Sequence, residues 1–317
     1  MSQIEQRQTK GVDKTIEEGH MQGLRDIVTV VIPTLNEADA VGPLIREVQA
    51  CGYSNVLVVD GYSKDQTREI ATKLGAQVVS QVGGGKAGAV LTARDIVRTP
   101  FFILMDGDYS YDPADLDHFL PLMEHYDHIL GCRSLRNPNI SKTHQIGNRI
   151  LTSLFNTLFG SFIPDICTGM YLLRTSTARQ IFLDRPGYVV DLEIAAQTLA
   201  DHRVTFIPIG YRARMGKAKA STWGQGFRAS FTVVSLARAY NPLLFISDLA
   251  AVATIPALII LAYTAFSDYV YGNFHLVLAL VGVALLLIGG QGIIVATLSM
   301  QIRLLERKLT KRSNSQD

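Results

Sequence analysis

Two long uncharged runs near the end of the chain constrain its architecture more than any other feature. Leu249–Phe266 has 18 residues and Leu276–Met300 has 25, and neither contains a charged side chain. As helices they would be about 27 and 37 Å long, against roughly 30 Å for the hydrocarbon core of a bilayer. A soluble protein rarely buries two such runs in succession, so the sequence predicts a transmembrane hairpin.

The charges around the predicted hairpin indicate its orientation. The connection Ser267–His275 contains Asp268 but no Lys or Arg, whereas both flanks are basic. The flanking cations are Lys217, Lys219, Arg228, Arg238, Arg303, Arg307, Lys308, Lys311 and Arg312. Because cytoplasmic flanks are enriched in Lys and Arg, we expect both flanks, and the domain before them, in the cytoplasm.

The segments predicted from these patterns follow one another in a simple order. They are a polar N-terminal tail at 1–26, a soluble domain at 27–226, a juxtamembrane interfacial helix at 227–247, two transmembrane helices at 248–302 and a basic cytoplasmic tail at 303–317. The tail has no apolar run typical of a signal peptide, and we expect it to be mobile or to lie on the surface. A plain linker helix remains an alternative for 227–247.

Bulk composition narrows the class of partners. With 30 Lys and Arg against 28 Asp and Glu, the formal net charge is +2, which argues against nucleic-acid binding through a basic face. The three cysteines are Cys51, Cys132 and Cys167; they fit no metal-ligand spacing and are expected to be reduced thiols.

The soluble part alternates short apolar runs with amphipathic segments. The predicted strands are Ile27–Ile32, Val56–Val59, Gln77–Ser80 and Phe101–Met105. The predicted helices between them are Asp39–Ala50, Asp65–Leu74 and Ala87–Val97. This alternation predicts a doubly wound α/β sheet that binds its ligands beyond the carboxyl ends of the strands.

Polar clusters follow the first two predicted strands. Pro33 cannot donate to a ladder, so we expect the first strand to stop there, with Asn36 or Thr34 capping the next helix. The same turn, through Glu37, could instead form a wall for a nucleotide. After the second strand, Asp60 could accept hydrogen bonds from a base or ribose, or the stretch could be a turn and helix cap.

A glycine-rich loop precedes the helix after the third strand. Gly83–Lys86 is followed by Ala87, where a Walker loop needs Ser or Thr, and the Rossmann G-x-G-x-x-G pattern is missing from the first strand–helix turn. What remains is a loop with one cation at a helix N-terminus. Either a diphosphate neighbour or a simple turn accounts for it.

The most specific motif in the soluble part is Asp106-Gly107-Asp108, which directly follows the apolar run Phe101–Met105. Strand alternation would point both carboxylates the same way, and their repulsion favours a cation between them. Mg²⁺ or Mn²⁺ bound by these carboxylates and phosphate oxygens would satisfy that arrangement. An acidic turn ahead of the Asp112-Pro113 helix start is the alternative.

In this order, the clusters resemble glycosyltransferase family 2, with its GT-A fold, and within it the dolichyl- and polyprenyl-phosphate hexosyltransferases. The resemblance covers roughly Ile27 to Phe245. Its motifs are P-x-x-N-E at Pro33–Glu37, a nucleotide motif at Asp60–Thr67, G-K at Gly85–Gly88, D-x-D at Asp106–Asp108, G-S-R-like Gly131–Ser134 with Arg149, D-x-x-S/T-G at Asp165–Gly169 and R-x-x-G-x-S-K-like Arg214–Lys219.

The resemblance implies a GT-A mixed sheet with a C-terminal hairpin and a set of site residues. The implied nucleotide-sugar ligands are Pro33, Thr34, Asn36, Glu37, Asp60, Lys86, Asp106, Asp108, Thr168, Gly169 and Glu193. Asp106 and Asp108 would bind Mg²⁺ or Mn²⁺. The implied catalytic residues are Asp108, Arg133, Arg149, Arg214 and Lys219. Between Asp191 and Glu193, the resemblance suggests an active-site role for one, although both could simply stabilise a helix N-terminus.

The implied reaction transfers a hexose from a UDP- or GDP-sugar to dolichyl or polyprenyl phosphate in a cell or ER-type membrane, and a homo-oligomer is compatible with it. A lipid monophosphate has a second pKa near 6 and is largely a dianion at neutral pH, so no base is needed to deprotonate it. Cations must instead hold it near the donor diphosphate.

Other functions fit part of the pattern. A non-catalytic membrane scaffold with the same fold, or a family member that uses another acceptor, would share these motifs. A GT-A nucleotidyltransferase would not account for the hairpin.

The histidines show no metal-ligand spacing and are interpreted as structural; they include His118, His125, His128 and His144.

Overall fold

The computed structural model describes residues 18–134, 138–183, 190–215 and 222–313. The helices are α1 (18–26), α2 (Ala38–Ala50), α3 (Thr67–Lys73), α4 (Gly85–Ile96), α5 (Lys142–Phe159), α6 (Thr175–Ala178), α7 (Val190–Asp201), α8 (Thr222–Tyr240), α9 (Pro242–Tyr271) and α10 (Leu276–Ser313), with a 3-10 helix at Pro113–Leu122. The chain divides into one unit of Met1–Ser153 and Phe162–Ser230 and a second of Leu154–Ser161 and Phe231–Asp317.

A seven-stranded mixed sheet forms the centre of the first unit. Its strands are β1 (Val28–Thr34), β2 (Val56–Asp60), β3 (Gln77–Ser80), β4 (Phe101–Met105), β5 (His128–Arg133), β6 (Met170–Arg174) and β7 (Val204–Ile209). They are ordered β3-β2-β1-β4-β6-β5-β7, and β6 is antiparallel to both of its neighbours. The predicted doubly wound α/β sheet is therefore confirmed, with one reversed strand near its middle.

Strand β1 does not stop at Pro33 as predicted but continues to Thr34, with Pro33 opposite Val59. In a parallel strand the N–H and C=O of one residue point to the same side. Val30 donates to Asn55 O at 2.8 Å and Thr34 O accepts from Gly61 N, so Pro33 faces the β4 side. The β1–β4 pairing ends at Val31, so the missing N–H of Pro33 costs no ladder bond.

The core lies on both faces of the sheet. Val30 and Ile32 pack on one face with α2 and the 3-10 helix, whereas Val31 packs on the other with α4 and α7. Strand alternation produces this division, and it explains why β1, β2 and β4 are apolar at nearly every position. Helices cover both faces of the sheet. The side formed by the carboxyl ends of the parallel strands is therefore left uncovered, and we call it the open edge of the sheet.

The segment before β1 differs in part from the mobile or surface-lying tail predicted for 1–26. Residues 18–26 form α1, and Met21 and Leu24 pack against the core. Arg25 makes two hydrogen bonds to Asp117, at 3.0 and 2.6 Å, and Gln22 donates to Gly52 O. This part of the segment is therefore docked on the first unit.

The second unit contains two helices that are long and apolar enough to cross a membrane, at Leu244–Tyr271 and Leu276–Leu298. Their mean hydropathies are 2.3 and 2.4. Glycines allow them to pack closely: a Cβ on Gly292 would lie 2.8 Å from Ala250 Cβ, and one on Gly282 would lie 2.9 Å from Leu261 Cγ. The predicted apolar hairpin is thus two packed helices joined at Gly272, whose φ of 66° is left-handed.

Candidate active site

The acidic turn Asp106–Asp108 lies at the open edge of the sheet, directly after β4. Since β6 runs antiparallel to β4 and Met105 is opposite Met170, the residue before β6 lies beside Asp106. That residue is Gly169, where an added Cβ would overlap the Asp106 carboxylate. The reversed strand therefore brings the predicted site residues Thr168 and Gly169 to the acidic turn.

Lys86 links the acidic turn to two helices. Its Nζ lies 2.8 Å from Asp106 Oδ1 and 2.9 Å from Asp191 Oδ2, and its side chain is 13% exposed. Burial lowers the pKa of Lys86, but the charges of Asp106 and Asp191 outweigh burial and raise it well above its ordinary value. A permanently charged ammonium thus occupies the first turn of α4, as expected for a cation near a diphosphate.

The sequence predicted an active-site role for either Asp191 or Glu193, with Glu193 placed among the nucleotide-sugar ligands, and the structure pairs Lys86 with Asp191. Burial raises the pKa of Asp191, and the Lys86 charge partly offsets this. Tyr171 lies close enough for the charge of Asp191 to act on it, and burial with that charge raises the pKa of Tyr171. Glu193 is buried two residues further along α7. Both carboxylates are visible in the sequence, but only the position of Lys86 distinguishes them.

Asp108 has different neighbours from Asp106. Its Oδ1 accepts hydrogen bonds from Ser110 N at 3.1 Å and from Ser110 Oγ, which closes a local turn. Its Oδ2 lies 3.5 Å from Arg214, which follows β7. The expectation that strand alternation aligns the two carboxylates is wrong, because β4 ends at Met105 and both lie in the turn beyond it.

The end of β1 packs against the middle of the acidic turn. A Cβ on Gly107 would lie 2.7 Å from Pro33 O and 2.9 Å from Thr34 Cγ2, so only glycine fits this close approach. Pro33 and Thr34 are therefore adjacent to the acidic turn. This contact ties the first strand–helix connection to the carboxylates.

The loop after β2 is held by its own hydrogen bonds. Asp60 is fully buried and accepts from Ser63 N, Ser63 Oγ and Arg68. Asn36 Oδ1 accepts from Lys64 N at 2.7 Å. Asp60 and Asn36 thus join two connections, which is the turn interpretation of this stretch; a nucleotide role for them stays a prediction.

The sequence predicted that Asn36 or Thr34 would cap the start of α2. In the structure, the residues of this loop do so instead. Asp65 Oδ2 accepts from Ala38 N at 3.1 Å, and Thr67 Oγ1 accepts from Glu37 N at 2.9 Å. Asp65 also accepts from Thr67 N, the first N–H of α3. The cap comes from a residue distant in sequence, which a local pattern does not reveal.

Arg133 is bound inside the fold. Its Nε and one terminal nitrogen donate to Asp165 at 2.7 and 3.2 Å, and that nitrogen also donates to Cys167 O at 2.7 Å. Its side chain is 9% exposed, and its guanidinium lies over the Tyr211 ring at 5.0 Å. Arg133 therefore holds the connection that precedes Gly169, and Asp165 is a partner that the sequence prediction did not include.

A small cleft opens beside Arg133 and the start of α5. It is lined by Arg133, Ser134, Ile140, Gln145, Asn148 and Asp165. Arg149 is exposed on α5, next to Asn148. Lys219, the remaining predicted catalytic cation, lies outside the described residues.

A divalent cation fits the acidic turn only together with phosphate oxygens. Among residues 18–134, 138–183, 190–215 and 222–313, no group of three or more His, Cys, Asp or Glu could hold a metal ion. Mg²⁺ in nucleotide sites is typically bound by one or two carboxylates plus substrate phosphates. Asp108 Oδ2 lies at a loose 3.5 Å from Arg214, whereas Asp106 Oδ1 is paired with Lys86 at 2.8 Å, so Asp108 suits that use better than Asp106.

Comparisons with known proteins show the family of this chain. The glycosyl transferase family 2 model matches residues 29–182. Glycosyltransferase AglJ of Haloferax volcanii is 31% identical over 294 residues, covering 90% of this chain and 97% of that protein. A dolichyl-phosphate hexose transferase of the same organism is 29% identical over 216 residues, covering 67% of this chain and 94% of that protein.

Among solved structures, glucosyl-3-phosphoglycerate synthase of Mycobacterium tuberculosis in complex with Mn²⁺, UDP-glucose and phosphoglyceric acid is similar in fold. The TM-score is 0.57 at 18% sequence identity, over 69% of this chain and 83% of that one. This likeness shows the GT-A-like fold of the first unit. With the fold, the acidic turn and the extent of the AglJ similarity taken together, the chain belongs to glycosyltransferase family 2.

Proposed function

We propose that this glycosyltransferase transfers a hexose from a UDP- or GDP-sugar to dolichyl or polyprenyl phosphate, on the cytoplasmic face of a membrane and with Mg²⁺ or Mn²⁺. The observation that carries the proposal is the acidic turn at the open sheet edge in a chain that also has two membrane-length apolar helices. A water-soluble acceptor would need no such helices, whereas a lipid acceptor must be met at the bilayer surface.

The names of the relatives support a lipid-phosphate acceptor. One relative is the dolichyl-phosphate hexose transferase, and another is the dodecaprenyl-phosphate galacturonate synthase of Rhizobium johnstonii, which is 24% identical over 264 residues, or 78% of each chain. Both names combine a sugar transfer with a polyprenyl-type phosphate. The two share the acceptor class but differ in the sugar, so the acceptor class is the property that we carry over to this chain.

The donor diphosphate is assigned to the acidic turn and the start of α4. Asp108 and Asp106 would hold the divalent cation, which when bound neutralises the diphosphate leaving group. Lys86 supplies a fixed positive charge next to the first carboxylate, because its two carboxylate partners hold it there. Gly169 lies against the same place from the β6 side, and Thr168 precedes it with its side chain bound to Gly131 O.

The acceptor phosphate is assigned to the cations on the β5–β7 side of the sheet. Arg214 lies beside the acidic turn, and Arg149 is exposed on α5 near the cleft. Arg133 acts here by shaping the cleft, since its guanidinium is already bound to Asp165. Lys219 follows Arg214 in sequence and precedes the apolar region, which suits contact with a lipid head group.

The reaction needs positioning more than proton transfer. An oxygen of the lipid phosphate forms a bond to the anomeric carbon while the bond from that carbon to the donor diphosphate breaks on the opposite face. The configuration therefore inverts, and the bonding electrons leave with the nucleoside diphosphate. Because the acceptor oxygen is already ionised near pH 7, no side chain has to remove a proton from it.

Transfer assays with the full chain in lipid nanodiscs test the proposal. UDP- and GDP-hexoses are supplied with Mn²⁺ and either polyprenyl phosphate or the matching polyprenol. We expect a lipid-linked sugar with the phosphate only, and its loss on chelation. Transfer to polyprenol would contradict the mechanism, and the absence of transfer and nucleotide release with every donor would favour the non-catalytic scaffold.

A further inference from the structure

The segment that follows β7 is bound along the acidic turn by backbone hydrogen bonds. Arg212 N donates to Ser110 O at 2.7 Å, and Met215 N donates to Asp108 O at 2.9 Å. Just before them, Gly210 N donates to Asp115 Oδ2 at 2.7 Å. Residues 210–215, here named the β7 segment, are therefore bonded to the end of the acidic turn and to the residues that follow it.

The guanidinium of Arg212 anchors this segment to three other parts of the unit. It lies 2.6 Å from Glu47 Oε2 on α2 and 2.7 Å from Asp112 Oδ1, which caps the 3-10 helix. It also lies over the ring of Tyr109, 5.0 Å from the centroid, and the Tyr109 hydroxyl donates to Glu47. The planar fork of arginine suits two carboxylates at once, which the ammonium of lysine does not match.

The charge of Arg212 is constant across the working pH range. Burial lowers its pKa, but hydrogen bonds to Glu47 and Asp112 outweigh this and raise the pKa above its ordinary value. The anchor is therefore present whenever the two carboxylates are ionised. It does not titrate with substrate binding or with moderate changes of pH.

The β7 segment is held in two places. At its start, the Tyr211 ring lies edge-on to Tyr111 at 5.3 Å, and Tyr211 O accepts from Asn139 Nδ2 at 2.9 Å. After Tyr211, the Arg212 side chain and the backbone bonds to Ser110 and Asp108 hold the residues that carry Arg214. Loss of the Arg212 side chain would therefore loosen the part that carries Arg214 more than it would disturb the acidic turn or the start of the segment.

We infer that Arg212 is a positioning residue, which through Glu47 and Asp112 holds the β7 segment so that Arg214 stays beside Asp108 and faces the acceptor phosphate. The inference rests on the proposed function for the identity of the acceptor. Arg212 itself touches neither substrate in this assignment. Its effect is on where Arg214 is placed.

Steady-state kinetics of the full chain in nanodiscs test this placement. For Arg212→Ala we expect kcat/KM for the lipid phosphate to fall about ten- to hundredfold, as for a displaced catalytic group, with the affinity for nucleotide and Mn²⁺ unchanged. Arg212→Lys should recover part of the loss. Arg203→Ala is the matched control, because Arg203 pairs with Asp127 at the start of β7.

Hydrogen exchange supplies a readout that does not depend on transfer. The amides of Arg212 and Met215 should exchange faster in Arg212→Ala and in Glu47→Gln, and at the wild-type rate in Arg203→Ala. If the wild type transfers no sugar, the proposed function fails while this exchange still tests the anchor. Unchanged exchange in both anchor variants, or faster exchange with unchanged acceptor kinetics, would overturn the inference, as would a loss confined to nucleotide binding.

Discussion

Lys86 Nζ lies 2.9 Å from Asp191 Oδ2 and joins the first turn of α4 to the first turn of α7. The same nitrogen contacts Asp106 in the acidic turn at 2.8 Å. One ammonium therefore balances two carboxylates that would otherwise repel each other at the edge of the sheet. The stability of this arrangement depends on all three groups being present.

Replacing Lys86 with Met should destabilise the first unit, because it leaves Asp191 buried without its counter-charge. Breaking a buried pair from one side costs about 3 kcal/mol or more. The double variant Lys86→Met with Asp191→Asn should be more stable than the single one, since no unbalanced charge remains. Urea unfolding monitored by circular dichroism measures both, and a double variant no more stable than Lys86→Met would refute the pairing.

Replacing Asp108 with Ala should abolish transfer while leaving the fold intact. The Asp108 side chain contacts Ser110 and Arg214, whereas a metal at a diphosphate contributes several kcal/mol, so we expect at least about a hundredfold loss in kcat. Calorimetry should show weaker Mn²⁺ binding in the presence of nucleoside diphosphate. Asp95→Ala, which removes an exposed carboxylate on α4, is the control, and activity within a few-fold of wild type in Asp108→Ala would exclude the metal role.

The sequence predicted strands β1 to β4 but not β5 to β7, and it did not predict the partners of the charged residues. The predicted strand Phe101–Met105 has the observed bounds, since a buried strand is apolar at every position. Gln77–Ser80 also has the observed bounds, although it is a partly exposed edge strand that begins and ends with a polar residue. Arg133 was expected to meet the acceptor, but it is bound to Asp165. A cation in a sequence does not indicate whether its partner will be a ligand or an internal carboxylate.

The same limit applies to the carboxylates themselves. Asp191 gains its role from the reversed strand β6 and the placement of α7, and both depend on contacts between distant segments. The motif at Asp106–Asp108 was found because it follows a strand, but strand alternation does not apply to its side chains, since the strand ends at Met105. Local periodicity in the sequence predicts helices and strands well, but it predicts their mutual arrangement poorly.

The stability of the first unit should fall as the pH drops below about 6.5, because of His128. This ring is buried against Tyr171, its Nδ1 lies 2.8 Å from Thr198 Oγ1, and burial with the charge of His202 lowers its pKa to about 3. As the pH falls, the unfolded state binds a proton at a higher pH than the folded state does. The free energy of unfolding is therefore highest above pH 6.5 and decreases by about 1 kcal/mol per pH unit down to a pH of about 3.

His128→Gln should remove this contribution. Urea unfolding of the wild type and of His128→Gln is compared between pH 4 and pH 7, which is roughly the range over which histidine titrates. The difference in unfolding free energy between them should shrink or reverse at low pH. Parallel curves would show that His128 does not titrate differently in the two states.

Replacing Gly289 with Leu should separate the two apolar helices. An added Cβ there would overlap Thr254 Oγ1 and lie 3.2 Å from Ala250 O, so we expect a loss of about 1–3 kcal/mol from overpacking. Gly290→Leu is the matched control, because nothing lies within 4 Å of its added Cβ. Unfolding in increasing SDS measures both, and equal effects would show that the glycine is not at a helix contact.

The proposed orientation predicts which parts of the chain are reachable from outside the cell. A membrane-impermeant maleimide should label Asn273→Cys in intact cells, because the short loop carries no Lys or Arg. It should label Ser315→Cys only after permeabilisation. The unmodified chain, with its three free cysteines, is the blank, and labelling of Ser315→Cys from outside would reverse the topology.

The reversed strand also decides when the site can exist during synthesis. Lys86 and Asp191 are 105 positions apart, and β1 to β4 leave the ribosome before any residue of β6 or α7. At roughly 5–20 residues per second, the parallel half waits on the order of ten seconds for the segments that complete it. A nascent chain arrested before residue 190 would hold the acidic turn with Lys86 beside a single carboxylate, so the donor site is a late product of translation.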